Sequence, residues 1–322
     1  MLPTDFDQSW NSAVRFSREL TRHARFKIKS VVAFGSVTRP SDFVDGLSDI
    51  DLLVIASPKP RGLEKKVKAI ARTVNCRISP VIYSPTEFRA NLRKGDPGSL
   101  LMLNGKILHD TGYFAKTLES GFEPTKKTFE AVVSHAFHAL SLAFNDYFSG
   151  SDIPESINQA YHCARHSVRA IILKEKEKLL ESNGEIFAEL MQYRQVKETF
   201  SRLVEARVDM KRLSESFDPE SACKISSALI DNVGQLLLLA EKAAIDACRF
   251  CFGKNVHSIR NAIMKLDQGS RMEIFGFSWD NFNWMISVRS DDKHSFWVYD
   301  SLKDLLKKSI RARKLAGRPA AN

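Results

Sequence analysis

Asp49 and Asp51 stand one residue apart at the head of an apolar run, a short polar stretch downstream of Gly35-Ser36. Alternate residues of a strand project to one face, so both carboxylates point to the same side. Gly35-Ser36 closes an earlier apolar run, Ile28 to Phe34, broken only by Lys29 and Ser30. Glycine has no Cβ, so backbone N–H groups there can approach a phosphate. A helical turn after Ser36 would add partial positive charge for an anion. The Ser36 hydroxyl can bond a phosphate oxygen, and Arg39 is placed to pair with a triphosphate. Magnesium prefers oxygen ligands and often takes one or two protein carboxylates plus substrate phosphates. Together these residues suit phosphoryl or nucleotidyl transfer, which needs charge neutralised and reacting oxygens aligned. The plainer alternative makes Asp49 and Asp51 turn residues at a strand entrance and Gly35-Ser36 an ordinary loop. Each half alone is common; the ordered combination favours the clamp.

The elements that must position these residues follow from hydrophobic spacing. Residues from about Asp5 to Arg25 read as an amphipathic helix with Phe6, Trp10 and Val14 on one side. Ile28–Phe34, Ile50–Ala56 and Ile78–Tyr83 read as strands, and Lys106–His109 as a short last one. Leu63–Val74 is helical, and Ser84-Pro85-Thr86-Glu87 opens another helix by its cap and acid. Alternating strands and helices indicate an α/β domain.

Beyond Gly121-Phe122-Glu123-Pro124 strand signals nearly vanish. Thr128–Phe148, Pro154–Glu181, Ile186–Val204 and Pro219–Phe252 have helical apolar spacing, as in an antiparallel bundle. Met272–Phe277, Phe282–Val288 and Ser295–Tyr299 read as three strands, and a basic helix runs from Leu302 to about Lys314. The expected fold class is α+β. An α/β N-terminal domain on a small mixed sheet spans 1–120, a helical bundle 125–252, and a small α+β extension 253–322.

A chain of 322 residues that is 43% hydrophobic can bury about two cores of ~150 residues each. Its +10 charge favours polyanionic partners, though the surplus is spread along the chain. Five cysteines, mostly isolated, fit a reducing cytosol better than a disulfide framework. The start MLPTDFDQSW has early acids and no apolar signal region. No run approaches the ~20 apolar residues of a membrane span. The expectation is a cytoplasmic protein with no membrane partner; a homo-oligomer is left open.

Phe34-Gly35-Ser36, a short gap, then Ser48-Asp49-Ile50-Asp51-Leu52-Leu53-Val54 resembles the signature of the DNA polymerase β superfamily of nucleotidyltransferases. The resemblance covers roughly residues 25–115 and is nearest to the minimal nucleotidyltransferases of prokaryotes. Those are often joined to a helical HEPN domain, which residues 125–252 match in length and helix count. The resemblance implies a magnesium-dependent nucleotidyltransferase, with Asp49 and Asp51 as catalytic metal ligands and Gly35, Ser36 and Arg39 on the nucleotide. The substrate would be a nucleoside triphosphate, with ATP the first candidate. The acceptor would be an RNA or tRNA end, a protein side chain or a small molecule such as an aminoglycoside.

Two departures stand out. Active members of the superfamily carry a third carboxylate on the next strand, where this chain has Ser79. Asp110 or Asp45 would have to substitute. The rival reading is therefore a nucleotide-binding regulatory or antitoxin-like module without chemistry. HEPN ribonucleases also carry an arginine followed a few residues later by a histidine on a late helix, and residues 125–252 lack that pair. Arg289 and His294 have the spacing but lie among apparent strands.

Other groups carry weaker signals. His135 with His138, and His162 with His166, have spacings that can share a helix face and a metal, though ordinary helix imidazoles are the stronger reading. Cys248 and Cys251 with His257 make half a zinc pattern. Trp279, Trp284 and Trp297 are read as the core of a small domain before they are read as base-stacking platforms.

Overall fold

The computed structural model describes residues 5–22, 27–44, 48–57, 62–149, 153–190, 194–216, 227–253, 271–278, 283–290 and 293–299. The chain divides into two compact units. One is Met1–Phe129 with Lys176–Glu189; the other is Glu130–Glu175 with Leu190–Asn322. Asp45, His257, Trp279 and the basic segment 302–314 lie outside the described residues, as do the side chains of Trp284 and Trp297.

The first unit is built on β1 (Ile28–Phe34), β2 (Ile50–Ala56), β3 (Ile78–Tyr83) and β4 (Lys106–Asp110). Their order is β3-β2-β1-β4. β1 is antiparallel to β2 and to β4, whereas β2 and β3 are parallel. The parallel pair is joined by α2 (Leu63–Val74), the crossover that such a pair requires. β1 and β2 read as near-continuous apolar runs because both their faces are covered. On one face α1 (Asp5–Arg22) buries Ala13, Phe16 and Leu20, and α2 buries Leu63, Val67 and Ile70. On the other, α3 (Pro85–Lys94), α4 (Pro97–Met102) and α5 (Tyr113–Leu118) supply Phe88, Leu92, Leu100, Met102 and Phe114. Tyr83, Phe88 and Phe114 form a stacked ladder there, with centroids 5.9 and 6.2 Å apart.

Local chemistry sets the helix ends. Ser84 Oγ accepts the Glu87 N–H and Glu87 returns a carboxylate to the Ser84 N–H, the reciprocal cap expected of Ser-Pro-Thr-Glu. α4 and α5 are short and escape periodicity; each starts on an aspartate, Asp96 accepting from Ser99 N–H and Asp110 from Phe114 N–H.

In the second unit α6 (Lys126–Ser149), α7 (Ile153–Lys176), α9 (Arg194–Ser216) and α10 (Ser227–Phe252) alternate in direction. Ser156 Oγ donates to Ala143 O, joining α7 to α6. Tyr161 stacks on Phe200 of α9, with centroids 6.1 Å apart. The Cys163 and Cys251 thiols donate to Ala240 O and Ala170 O, so α7 and α10 run in one direction, as alternation requires. The stretch 154–181, expected as one helix, ends at Lys176, and Glu177 takes a left-handed backbone with φ 54°. The stretch 186–204 is two helices, α8 (Asn183–Glu189) and α9. Ser182 and Glu185 cap the start of α8 reciprocally, which separates it from α7. β5 (Arg271–Ser278), β6 (Asn283–Ser290) and β7 (Lys293–Tyr299) form an antiparallel sheet in that order.

Phe16 is fully buried between α1 and the sheet. Phe16→Ala should destabilise the full chain by about 3–5 kcal/mol, read by urea unfolding. A loss below about 1 kcal/mol would show that α1 does not close this core.

Candidate functional site

β1 delivers Phe34 opposite Asp51 of β2, so the turn that follows β1 sits beside that carboxylate. Gly35–Thr38 is a 3₁₀ turn, tied by Thr38 Oγ1 donating to Gly35 O and by Arg39 N–H donating to Ser36 O. Gly35 has φ 71°, a left-handed backbone that favours glycine. A Cβ placed on it would lie 2.6 Å from Asp51 Oδ2. The glycine thus has a role the sequence does not announce: its empty side is occupied by the Asp51 carboxylate.

Asp51 lies on the strand face that carries Leu53 and Ile55 into the second apolar cluster. Its carboxyl is pushed up from the ordinary 3.8 to about 7. Burial is the main cause, the neighbouring Asp49 charge the second, and Arg39 opposes both. Asp49 itself is exposed, one residue ahead of β2. Behind it, Ser48 closes the loop: its N–H donates to Val44 O and its Oγ accepts Val44 N–H, both at 2.8 Å.

Arg39 is held by two carboxylates. Its Nε donates to Asp42 Oδ2 at 3.1 Å, and its terminal nitrogen meets Glu181 Oε1 at 2.7 Å. Asp42 is buried and also accepts the Asn183 N–H, at 3.1 and 3.2 Å from its two oxygens. The segment Lys176–Glu189 therefore straps across the first unit. Leu179 packs into the second apolar cluster, and a Lys176–Glu189 ion pair joins the strap's ends. Asp42, Glu181 and Asn183 are the members that sequence reasoning missed. Nothing local to Glu181 marks it; its partner lies far away in the chain.

The parallel register sets Ser79 of β3 directly beside Asp51. The position where a third carboxylate is expected is thus a serine in space as well as in sequence. Asp110 does not replace it. It pairs with Ser30, at the far end of β1 from Phe34, about 13 Å away by strand rise. There, against the cost of burial, the Phe114 N–H, the Ser30 hydroxyl and the Ala115 and Gly112 N–H groups hold its carboxyl below the ordinary range. It is a helix cap. Among the described residues no group of three or more His, Cys, Asp or Glu is disposed to hold a metal. Magnesium often takes only one or two protein carboxylates; the raised Asp51 value comes from burial first and from the Asp49 charge second, and a cation between the two acids would offset both.

The remaining candidates separate. His135 meets His166, with ring centroids 5.4 Å apart, across α6 and α7. Cys248 and Cys251 are buried free thiols on α10. Arg289 and His294 face each other across the β6–β7 ladder. No helix among the described residues is long and apolar enough to cross a membrane.

No protein-family model matches the chain, and no curated protein does. Among solved structures, the chain is similar to a nucleotidyltransferase-like protein from Exiguobacterium sibiricum 255-15. The identity is 13%, over 73% of this chain and 77% of that one, with a TM-score of 0.27. So loose a likeness carries no argument about chemistry.

Gly35 and Gly62 both have left-handed backbones, but nothing lies within 4 Å of a Cβ on Gly62. Gly62→Ala should cost about 1 kcal/mol of backbone strain; Gly35→Ala should cost distinctly more, because Asp51 must also move. Equal costs in thermal unfolding would show that Asp51 does not fill that space.

Asp51 also predicts a pH dependence. Below 3.8 both folded and unfolded states hold the proton, so folding bears no charge cost. Between 3.8 and about 7 the unfolded chain ionises first, and the cost of burying Asp51 grows; above about 7 it is complete. In divalent-free buffer, the stability of Asp51→Asn relative to wild type should therefore rise with pH across that window and then level. A difference that does not change with pH would overturn the buried charge.

Proposed function

We propose that the first unit binds a nucleoside triphosphate with a divalent cation and transfers its nucleoside monophosphate to an acceptor hydroxyl. The observation that carries this reading is the Asp51 carboxylate, packed into the empty side of the left-handed Gly35 turn and crowded by Asp49. Asp49 and Asp51 would hold magnesium, which supplies neutralisation of phosphate charge and orientation of the reacting oxygens. Gly35 and Ser36 offer the turn's N–H groups and a hydroxyl to the phosphates. Arg39, already beside the acids, would take a phosphate oxygen in exchange for Asp42 or Glu181. The acceptor oxygen bonds the α-phosphorus, the bond from the α-phosphorus to its bridging oxygen breaks, and pyrophosphate leaves with the electron pair. The acceptor's proton passes to a nearby base or water. ATP is the first candidate donor. An RNA or tRNA end, a protein hydroxyl and an aminoglycoside are the acceptors to try.

Ser79 beside Asp51 favours a second reading, triphosphate binding without turnover. Incubation with labelled nucleoside triphosphates and these acceptors separates the two. Transfer by wild type, lost in Asp49→Asn with Asp51→Asn, supports the transferase. Ser79→Asp would restore a carboxylate beside Asp51 and should raise a weak activity by about 10²-fold. Triphosphate binding by calorimetry, with no transfer from wild type or Ser79→Asp, would establish the second reading instead.

A further inference from the structure

Arg39 is the cation of the proposed triphosphate site, yet it is already engaged. It follows the 3₁₀ turn directly, its N–H donating to Ser36 O, and it is near enough to Asp51 to act on that carboxyl. Its guanidinium is divided between two acids. Nε donates to Asp42 Oδ2 at 3.1 Å, and Nη1 meets Glu181 Oε1 at 2.7 Å, the length of a charge-assisted bond.

The two acids differ in how firmly they are placed. Asp42 stands in the same loop as Arg39, its side chain is 2% exposed, and both its oxygens accept the Asn183 N–H. The Glu181 side chain is 15% exposed and comes from the strap Lys176–Glu189. That strap belongs to the first unit, although the chain enters it from α7 and leaves it for α9. Leu179 packs on the second apolar cluster and Leu180 is buried, which seats Glu181 over the loop. The strap begins at Glu177, whose φ of 54° is left-handed. Such backbone is disfavoured for a residue with a side chain, and it collects at ligand clamps and switch segments.

A phosphate offers a guanidinium the same anionic oxygens that a carboxylate offers. We propose that Glu181 occupies the phosphate place on Arg39, so that the strap is an autoinhibitory latch which a bound triphosphate displaces. Asp42, the buried holder, keeps Nε and the orientation of the fork; Glu181 is the partner that gives way. The latch rests on the triphosphate reading of the site. A ligand that competes with an internal group binds only the molecules in which that group has left, and its apparent affinity falls by that fraction.

The test is calorimetry on the full chain with magnesium and α,β-methylene ATP, and in a second arm with magnesium and inorganic tripolyphosphate. Glu181→Gln keeps the side chain's shape and removes its charge; it should bind both probes about tenfold tighter than wild type. Asn183→Pro alters no charge, suits the first position of a helix and removes the N–H that Asp42 accepts, so it should tighten binding as well. Arg39→Gln with Glu181→Gln should bind no tighter than Arg39→Gln alone, because the shared cation is gone. Backbone hydrogen exchange over residues 179–183 of wild type should quicken when either probe binds. Unchanged or weaker binding by Glu181→Gln would make Glu181 a positioning residue for Arg39 and overturn the latch, with the triphosphate reading intact. A gain that persists without Arg39 would be a general charge effect and would overturn it too, as would exchange over 179–183 that slows on binding. Tighter tripolyphosphate binding by Glu181→Gln, with the nucleotide analogue bound by neither protein, would uphold the latch and remove the nucleotide. No binding of either probe by wild type or Glu181→Gln would overturn both.

Discussion

A carboxylate held in a place that resists its charge organises the first unit. Asp51 is the second residue of a strand whose other side chains are all apolar, and its half-buried place follows from that position. The register of β1 against β2 then fixes what it meets, the left-handed Gly35 turn. Any side chain at residue 35 would strike the carboxylate, and the carboxylate would otherwise lie against apolar surface. The turn, the buried strand and the acid therefore form one unit of structure, each unworkable without the others.

The charge of Asp51 needs an offset, and Arg39 gives part of it. Arg39 is in turn fixed by Asp42 and Glu181, and Asp42 by the Asn183 N–H. This chain of contacts gives the strap Lys176–Glu189 a reason to return to the first unit after α7 has left it. One guanidinium thus couples the acid pair to a segment far away in sequence. An incoming phosphate would compete with two carboxylates for it, so strap and ligand share a single cation. That makes Arg39 less a free phosphate hook than a group whose partners can be exchanged.

Much of this was legible in the sequence because it is periodic or local. The strands Ile28–Phe34, Ile50–Ala56 and Ile78–Tyr83 match the bounds of mostly apolar runs, interrupted only at Lys29, Ser30, Asp51, Ser79 and Pro80. The Ser84–Glu87 cap needs only its own four residues. α4 and α5 were hidden because six residues cannot display a helical period. The break between α8 and α9 was hidden because apolar spacing runs across it. The Arg39–Glu181 pair was illegible for a different reason. Its energy comes from geometry that exists only once the sheet and the strap are formed, and neither residue differs locally from any exposed ion-pairing residue.

The two missing-acid candidates show how register decides what composition cannot. Asp110 and Ser79 are both near strand ends of one small sheet, and the sequence cannot say which lies beside Asp51. Parallel pairing sets Ser79 there, while antiparallel pairing carries Asp110 to the other end of β1, where four donors engage it as a cap. An acid already so engaged has its oxygens committed and its charge stabilised, which is the opposite of what a proton acceptor poised near neutrality requires. Asp51, by contrast, is kept close to neutrality by its surroundings and is the group a cation or a proton would most change. The sheet therefore concentrates its electrostatic tension at one end, beneath the Gly35 turn, and relaxes it at the other.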